Sequence, residues 1–244
     1  MLQRLPKIPL AVVAVTGMAF EARIAAGPGV ITICGSRPET LMAELSAAIA
    51  NGCRGIVSFG IAGGLAKHLK PGSCIVARTI VTAEARFDSH LEWSSRLLQT
   101  IPGAIHADIA GVTAPVTTSA GKIELARITG AAAVDMESGL CIGAALAHGL
   151  PFAAVRVVAD PWHRALPPAA LISLLPDGKP DLSGVMRSVA GRPRQVNALI
   201  RLALDTRRAR AALVRSRRLL GPGFGLFELA EPMAEVEALV APAD

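Results

Sequence analysis

The feature that most constrains the fold is an apolar strand that runs directly into acidic residues, and it occurs twice. Ala132-Ala133-Val134 is followed at once by Asp135-Met136-Glu137, and a helix is predicted from Leu140 to His148. A second apolar strand, Phe152 to Val158, leads to Asp160. Two neighbouring strands that carry acids at their carboxyl ends describe a site, because ligands bind at that edge of α/β sheets.

These acids have a chemistry suited to a sugar and to a leaving group. Glu137, at the turn into a helix, can accept hydrogen bonds from the vicinal diol of a ribose. Asp160 ends an apolar strand, where burial raises the pKa of a carboxyl and favours a general acid. Met136 offers a soft apolar surface beside the sugar. The alternative is that Asp135 or Glu137 only caps the helix, since acids are common in a first turn.

The rest of the chain alternates strands and helices in the way an α/β domain requires. The predicted strands are Leu10–Val15, Gly29–Cys34, Arg54–Phe59, Ser73–Ala83 and Ala110–Val116. The predicted helices begin at Pro38 and Trp93, cover Gly121–Ile128, and end with a long arginine-rich helix at 193–220. A glycine-rich loop is predicted at 60–65, and a turn at 177–181.

Three segments resemble the purine nucleoside phosphorylase and methylthioadenosine nucleosidase superfamily. They are Val-Asp-Met-Glu-Ser at 134–138, Val-Arg-Val-Val-Ala-Asp at 155–160 and Gly-Ile-Ala-Gly-Gly-Leu at 60–65. The resemblance covers roughly residues 10–165, and Ala159 departs from it where the family often has serine. It implies a single three-layer α/β/α domain over 1–244, with a mixed, mainly parallel sheet and a divergent basic C-terminal helix.

The resemblance also implies an activity, cleavage of the N-glycosidic bond of a purine nucleoside, and the residues that perform it. Asp160 would protonate the base, with adenine favoured because the residue is Asp rather than Asn, and Glu21 would activate water. Substrate-binding residues would be Met18, Gly60, Ala62, Gly63, Val116, Met136 and Glu137. Neither a metal nor an organic cofactor is expected, and phosphate is an alternative co-substrate. No base-stacking aromatic is available at 114–116.

The nucleophile remains open between water and phosphate. Ser58 and Ile61 stand where phosphorylases often have phosphate ligands, and this favours hydrolysis. Arg23, Arg37 and Arg86 are the alternative phosphate ligands. Within the superfamily, Met-Ala-Phe-Glu-Ala at 18–22 and the arginine-rich tail resemble most the hopanoid-associated branch, which removes adenine from adenosylhopane. The alternatives are a methylthioadenosine/adenosylhomocysteine nucleosidase, a phosphate-dependent phosphorylase and, from another class, a non-catalytic nucleotide or nucleic-acid-binding protein.

The net charge of +6 is concentrated near the C-terminus. Residues 187–218 hold ten arginines (187, 192, 194, 201, 207, 208, 210, 215, 217 and 218) against one acid, Asp205. A basic amphipathic helix of this kind is typical of contact with an anionic membrane surface, or else it covers a core or a dimer interface. Nucleic acid is not an expected partner, because aromatic residues make up only 3% and tyrosine is absent.

A cytoplasmic, homo-oligomeric protein is expected, in peripheral contact with the inner membrane surface at most. Apolar runs fall short of the roughly 18 residues of a membrane span. The four cysteines (34, 53, 74 and 141) are widely spaced in apolar segments, which favours buried, reduced thiols. Met1 to Phe20 imitates a signal peptide, but a first core strand is the better interpretation because Glu21 and Arg23 follow without a clean cleavage site.

Overall fold

A computed structural model describes residues 11–35, 37–171 and 181–226. Within these ranges eight strands form one sheet. They are β1 (Val12–Thr16), β2 (Val30–Cys34), β3 (Gly55–Gly64), β4 (Cys74–Val81), β5 (Arg86–Asp88), β6 (Ile105–Gly111), β7 (Ala133–Asp135) and β8 (Phe152–Asp160). The α-helices of the same ranges are α1 (Ala19–Ala25), α2 (Pro38–Ala50), α3 (Leu91–Thr100), α4 (Ser119–Thr129), α5 (Ser138–Ala147), α6 (Pro168–Leu171), α7 (Leu182–Gly191) and α8 (Val196–Leu219). Short 3₁₀ helices, Pro193–Gln195 and Pro222–Gly225, flank α8.

Five of these strands pair in a closed ring. β3 pairs in parallel with β8, and β8 pairs antiparallel with β4. β4 and β6 are parallel, as are β6 and β7, and β7 returns antiparallel to β3 at Gly63 and Gly64. β1 and β2 extend the sheet in parallel from β3, and β5 is an antiparallel edge strand on β4. The predicted mixed, mainly parallel sheet is confirmed.

Helices cover both faces of this sheet, because side chains of a strand alternate between its two faces. Val13 and Val15 of β1 belong to the core that includes residues of α2 and α5, whereas Val12 and Ala14 belong to the core that includes residues of α1, α3 and α8. The predicted three-layer α/β/α architecture is therefore confirmed. In the described ranges, no helix is both long and apolar enough to cross a bilayer.

The structure corrects three local predictions. The glycine-rich segment is strand rather than loop, because β3 continues through Gly64 in register with β8 and β7. The strand predicted at Ala110–Val116 ends at Gly111, since β7 ends at Asp135 and offers no further partner beyond the bond from Val112 N–H to the Asp135 carbonyl. Helix α7 was not predicted. The turn predicted at 177–181 lies outside the described residues except for Asp181, which caps α7 by accepting from Gly184 N–H.

The long basic helix is confirmed, but its apolar stripe faces solvent over the first half. Val196, Ile200 and Leu204 are 37%, 53% and 50% exposed. The core instead receives Ala209 and Leu213 from the second half of α8. Eight of the predicted elements, by contrast, lie within a residue or two of their expected positions: β1, β2, β4, β8, α2, α3, α4 and α5.

Candidate active site

The site is a cavity of about 260 Å³ at the carboxyl ends of β1, β3, β7 and β8. Several elements contribute because the closed ring brings β7 and β8 to the same end of β3. Its lining consists of Gly17, Met18, Glu21, Ile61, Ala62, Gly63, Val112, Pro115, Val116, Val134, Asp135, Met136, Glu137, Arg156, Asp160 and Leu166. It is therefore an apolar pocket into which a few charged groups converge, as is typical of small-molecule sites.

Glu21 lies at one end of this cavity, in the first turn of α1. Its carboxylate accepts three backbone hydrogen bonds, from Gly17 N–H (3.0 Å), Met18 N–H (2.9 Å) and Ile61 N–H (2.7 Å). Only 1% of the residue is exposed, and burial raises its pKa to about 7, although Arg156 opposes the rise. The amides hold the carboxylate in place, and its pKa near neutrality suits a general base.

Arg156 is the buried cation beside Glu21, and it is shared among several acceptors. Its Nε lies 2.6 Å from Asp135 Oδ2, and its Nη2 donates to Glu137 Oε2 at 2.9 Å. It also donates to the hydroxyl of Ser58, while Asp135 accepts from the hydroxyl of Ser138. Asp135 is thus a structural partner of Arg156, whereas Glu137 keeps its second oxygen toward Gly17 and the cavity.

Two glycines allow these acids to approach the backbone. An added Cβ at Gly60 would lie 2.6 Å from Glu21 Oε1 and 2.7 Å from Arg156 Nη1. At Gly17 an added Cβ would overlap the carboxylate of Glu137. A side chain at either position would displace a charged group of the site. Burial also raises the pKa of Glu137, and Asp135 adds to the rise that Arg156 opposes.

Asp160, the last residue of β8, lies at the other end of the cavity. Its Oδ2 accepts from the ammonium of Lys122, a fully buried residue of α4. Gly63 of β3 lies beside it, where an added Cβ would be 3.5 Å from Oδ2. Burial raises the pKa of Asp160 above its ordinary value, and the charge of Lys122 opposes this rise. Asp160 is therefore, with Glu21 and Glu137, one of three carboxyls of the cavity whose pKa burial raises.

The sequence model of the phosphorylase superfamily matches residues 7–170 of the chain. The chain belongs to the phosphorylase superfamily. This match agrees with the predicted extent of roughly 10–165, and the prediction of an enzyme of this superfamily is confirmed. A comparison with curated proteins gives no significant match.

Solved structures of two nucleosidases and a hydrolase share the fold. The chain is similar to a 5′-methylthioadenosine/S-adenosylhomocysteine nucleosidase of Helicobacter pylori, with 13% identity over 86% of this chain and 97% of that one (TM-score 0.62). It is similar to futalosine hydrolase of the same organism, with 14% identity over 86% and 97% (TM-score 0.59). A nucleosidase of Neisseria meningitidis shows 16% identity over 85% and 97% (TM-score 0.59). At these identities the likeness establishes the fold.

Most residues that the superfamily resemblance singled out do meet in one place. Glu21 and Asp160 line the cavity, as do Met18, Ala62, Gly63, Val116, Met136 and Glu137. Gly60 is not among the lining residues and lies against Glu21 and Arg156 instead. Its role is to make room for those side chains. The chemical roles of the lining residues stay predictions.

The sequence did not lead us to place Arg156 in the cavity or Lys122 beside Asp160. Arg156 had a usable signal, since it is a charge in the middle of an otherwise apolar strand. Lys122 had none, because it is one lysine on a helix of mixed composition. Of the cysteines, all free, Cys53, Cys74 and Cys141 are buried as predicted, while Cys34 is partly exposed.

Proposed function

We propose that this protein cleaves the N-glycosidic bond of a purine nucleoside, with Asp160 as general acid and Glu21 as general base. The observation that carries the proposal is that one cavity is lined by Glu21 and Asp160, two buried carboxyls that lie against different residues of β3 and whose pKa values burial raises. Glu21 lies beside Gly60 and Asp160 beside Gly63, so the two carboxyls approach the cavity at different positions along β3. An acid and a base placed apart in one site can act on opposite faces of a sugar, as in glycoside hydrolysis by inversion.

In this reaction the proton of Asp160 moves to a ring nitrogen of the base as the bond to the sugar carbon C1′ breaks. The bonding electron pair stays on the base, and the sugar becomes oxocarbenium-like. Glu21 takes a proton from water, whose oxygen bonds to C1′. Glu21 then releases its proton to solvent and Asp160 regains one, so that nucleoside and water give sugar and free base. Glu137 accepts hydrogen bonds from the ribose hydroxyls.

Adenine is the proposed base, and it would lie against apolar side chains at the Asp160 end of the cavity. Val116 comes from the loop after β6, Val134 from β7, and Leu166 from the loop after β8. These surfaces provide contact area without the stacking geometry of an aromatic ring. The choice of adenine rests on the carboxyl of Asp160, as the resemblance implies, and no metal or organic cofactor enters the proposed chemistry.

Water is the proposed nucleophile, because the positive charge available to a phosphate is already neutralised. Among described residues that line the cavity, the one cation is Arg156, which Asp135 and Glu137 hold. A phosphate dianion there would face three carboxylates, counting Glu21. Of the other candidate ligands, Arg23 and Arg37 are exposed outside the lining, and Arg86 pairs with Asp108.

Product analysis tests this proposal. Purified protein is mixed with adenosine and with 5′-substituted adenosines, in buffers with and without inorganic phosphate, and the products are separated by chromatography. The proposal expects free adenine and a free sugar at a rate that phosphate does not change. A sugar 1-phosphate formed only with phosphate would replace hydrolysis by phosphorolysis. Absence of base release from every nucleoside would overturn the proposed function and favour a non-catalytic binding protein.

For the sugar's 5′ position we propose a large apolar substituent, such as the lipid of adenosylhopane in hopanoid biosynthesis, with methylthioadenosine as the alternative. A second cavity of about 230 Å³ shares Val112, Met136 and Glu137 with the first. Pro38, Leu41 and Leu140 add apolar surface there. A 5′ substituent that extends from the sugar beside Glu137 would therefore enter a space with apolar walls. The resemblance to the hopanoid-associated branch supplies the identity of the lipid.

A series of 5′-alkylthioadenosines of increasing chain length measures this preference. The proposal expects kcat/KM to rise with chain length. Thr113→Trp, at an exposed lining position of the second cavity, should remove the rise while leaving adenosine cleavage unchanged, and Thr113→Ser is the matched control. A preference for the methylthio compound over every longer chain would favour the methylthioadenosine alternative.

We also propose that α8 contacts an anionic membrane surface, at the inner face of the membrane. The exposed stripe of Val196, Ile200 and Leu204 lies in the same helix as the exposed arginines 201, 207, 210, 215 and 218. Arg217 takes no part, because it is buried and donates to the carbonyls of Ala25 and Gly221. Each basic residue at an anionic surface contributes about 1 kcal/mol, which salt screens.

Liposome sedimentation tests this contact. Replacing arginines 201, 207, 215 and 218 by glutamine should release the protein from anionic vesicles, and the same four changes to lysine should not. Release by both sets, or no binding by the wild type, would overturn the membrane proposal. Ultracentrifugation of the Ile200→Asp variant then distinguishes the alternative occupant, a second copy of this chain. The homo-oligomeric state and cytoplasmic location remain predictions.

A further inference from the structure

Lys122 occupies a position that is unfavourable for a positive charge. It is fully buried, and it lies four residues after Thr118, the N-cap of α4. The amino end of a helix carries partial positive charge and repels cations. Burial of a charge also lowers stability unless the charge is paired and hydrogen-bonded. A lysine in this place therefore needs strong compensation from its partners.

The compensation comes from three acceptors, one for each proton of the ammonium group. Lys122 Nζ donates to Asp160 Oδ2, to the Pro161 carbonyl at 3.1 Å and to the Arg164 carbonyl at 3.1 Å. Lys122 does not line the cavity, whereas Asp160 does. Lys122 consequently affects a substrate indirectly, through Asp160 or through the 161–164 loop, and the experiments below distinguish the two.

The other charged groups around Asp160 act from farther away or are neutralised. Arg164 also favours the charged form of Asp160, but its guanidinium pairs with Asp205 of α8, which holds Arg208 as well. The remaining charged residues of the cavity, associated with α1, β7 and β8, are Glu21, Asp135, Glu137 and Arg156. Among the described residues, Lys122 is the cation in direct contact with Asp160.

We propose that Lys122 is a positioning residue for Asp160, which holds Oδ2, leaves Oδ1 toward the base, and stabilises the carboxylate that forms when the proton leaves. This inference rests on the proposed N-glycosidic cleavage. When the Asp160 proton moves to the base, the carboxylate remains beside an ammonium that keeps its own three protons. The resulting ion pair favours the products of proton transfer. Without Lys122, burial would act unopposed by that contact and make Asp160 a weaker acid.

Infrared titration measures this effect without turnover. The carbonyl band of protonated Asp160 is assigned by its loss in Asp160→Asn, and its midpoint is followed with pH. Because an adjacent opposite charge lowers a carboxyl pKa by roughly 1–3 units, the midpoint should rise by about 1 pH unit or more in Lys122→Met. Lys122→Gln retains donors for the two carbonyls and should show the same rise. It replaces Lys122→Met in the experiment if that variant does not fold. Lys122→Arg should return the midpoint toward that of wild type. Equal midpoints in wild type and in the folded neutral variant would overturn the proposal.

Steady-state kinetics separates positioning from a merely structural role. The neutral variants should lose at least tenfold in kcat with an unchanged KM, because Lys122 does not touch the substrate, and Lys122→Arg should restore part of kcat. Loss of kcat with no shift of the infrared midpoint would mean that Lys122 only supports the 161–164 loop, which overturns the inference. If wild type releases no base, the proposed function fails, while the infrared midpoint still decides whether Lys122 controls Asp160.

Discussion

Glu21 and Asp160 are both buried carboxyls in the wall of one cavity, but their surroundings differ. Glu21 accepts three backbone amides, and its neighbouring cation, Arg156, is already engaged by Asp135 and Glu137. Asp160 contacts a lysine directly and has little backbone support. The Glu21 end is thus organised by the main chain, and the Asp160 end by one ion pair.

The difference shows how one cavity assigns opposite tasks to two similar groups. Backbone amides fix the position of Glu21. Burial raises its pKa to about 7, against the charge of Arg156 and, to a smaller extent, the amides, and near this value a base can both take and release a proton. At Asp160, burial favours the protonated acid before reaction, and Lys122 stabilises the anion afterwards. Environments that separate two carboxyls in this way are the usual basis of acid and base assignments.

The largest expected effect is the loss of either carboxyl. Asp160→Asn and Glu21→Gln should each lower kcat for an adenine nucleoside by roughly 10²–10⁴, since general acid or base catalysis has that magnitude. Initial rates of base release measure the loss, and circular dichroism checks the fold. Glu124→Gln, an exposed acid paired with Arg127, is the control and should be unchanged. If either site variant retained more than about a tenth of the wild-type rate, its assigned role would be lost.

The second prediction concerns pH at the Glu21 end. A base acts when it is unprotonated, and the pKa of Glu21 is raised to about 7. The rate constant kcat/KM should therefore fall about tenfold per pH unit below neutrality, whereas the alkaline limb of the profile reports loss of the proton that Asp160 must carry. The residual activity of Glu21→Gln should not show this fall of kcat/KM at low pH. A wild-type profile flat from pH 5 to 8 (about two decades of predicted change) would contradict the assignment of Glu21 as the base.

The third and smallest effect tests the close approach that the Glu21 end requires. Gly60→Ala places a Cβ against Glu21 and Arg156, and such overpacking lowers the free energy of unfolding by about 1–3 kcal/mol. Activity should fall with it, because Glu21 moves. Gly143→Ala is the matched control, since this helical glycine has open space around it and alanine there should stabilise by about 0.5–1 kcal/mol. Thermal denaturation and base release compare the two, and equal behaviour would sink the packing argument.

The acids of the site were predictable from the sequence, Glu137 and Asp160 from their places at strand ends and Glu21 through the superfamily resemblance. Glu137 and Asp160 end apolar runs, and Glu21 follows the loop after β1. The ion pair of Lys122 with Asp160 was not predictable, since it joins residues 38 positions apart and its other partners are backbone carbonyls. The residues next to Lys122 and Asp160 in the sequence do not indicate such contacts.

Two errors about the fold have the same physical origin. Glycines 60, 63 and 64 favour a loop locally, yet pairing with β7 and β8 keeps them in β3. The expectation that β7 and β8 are neighbours was also wrong, because both pair with β3 and not with each other. In α8, likewise, the position of the sheet decides which half of the helix is buried. Non-local packing decided each case.

A riboside with a leaving group that needs no proton tests the central claim most directly. 4-Nitrophenolate leaves as an anion, so general acid catalysis is dispensable for 4-nitrophenyl β-D-ribofuranoside while a base is still required. Asp160→Asn should come within about tenfold of wild type on this substrate, in contrast to its large loss on the adenine nucleoside, and Glu21→Gln should be equally impaired on both. Equal impairment of Asp160→Asn on the two substrates, or recovery of Glu21→Gln on the nitrophenyl riboside, would contradict the assignment of acid and base.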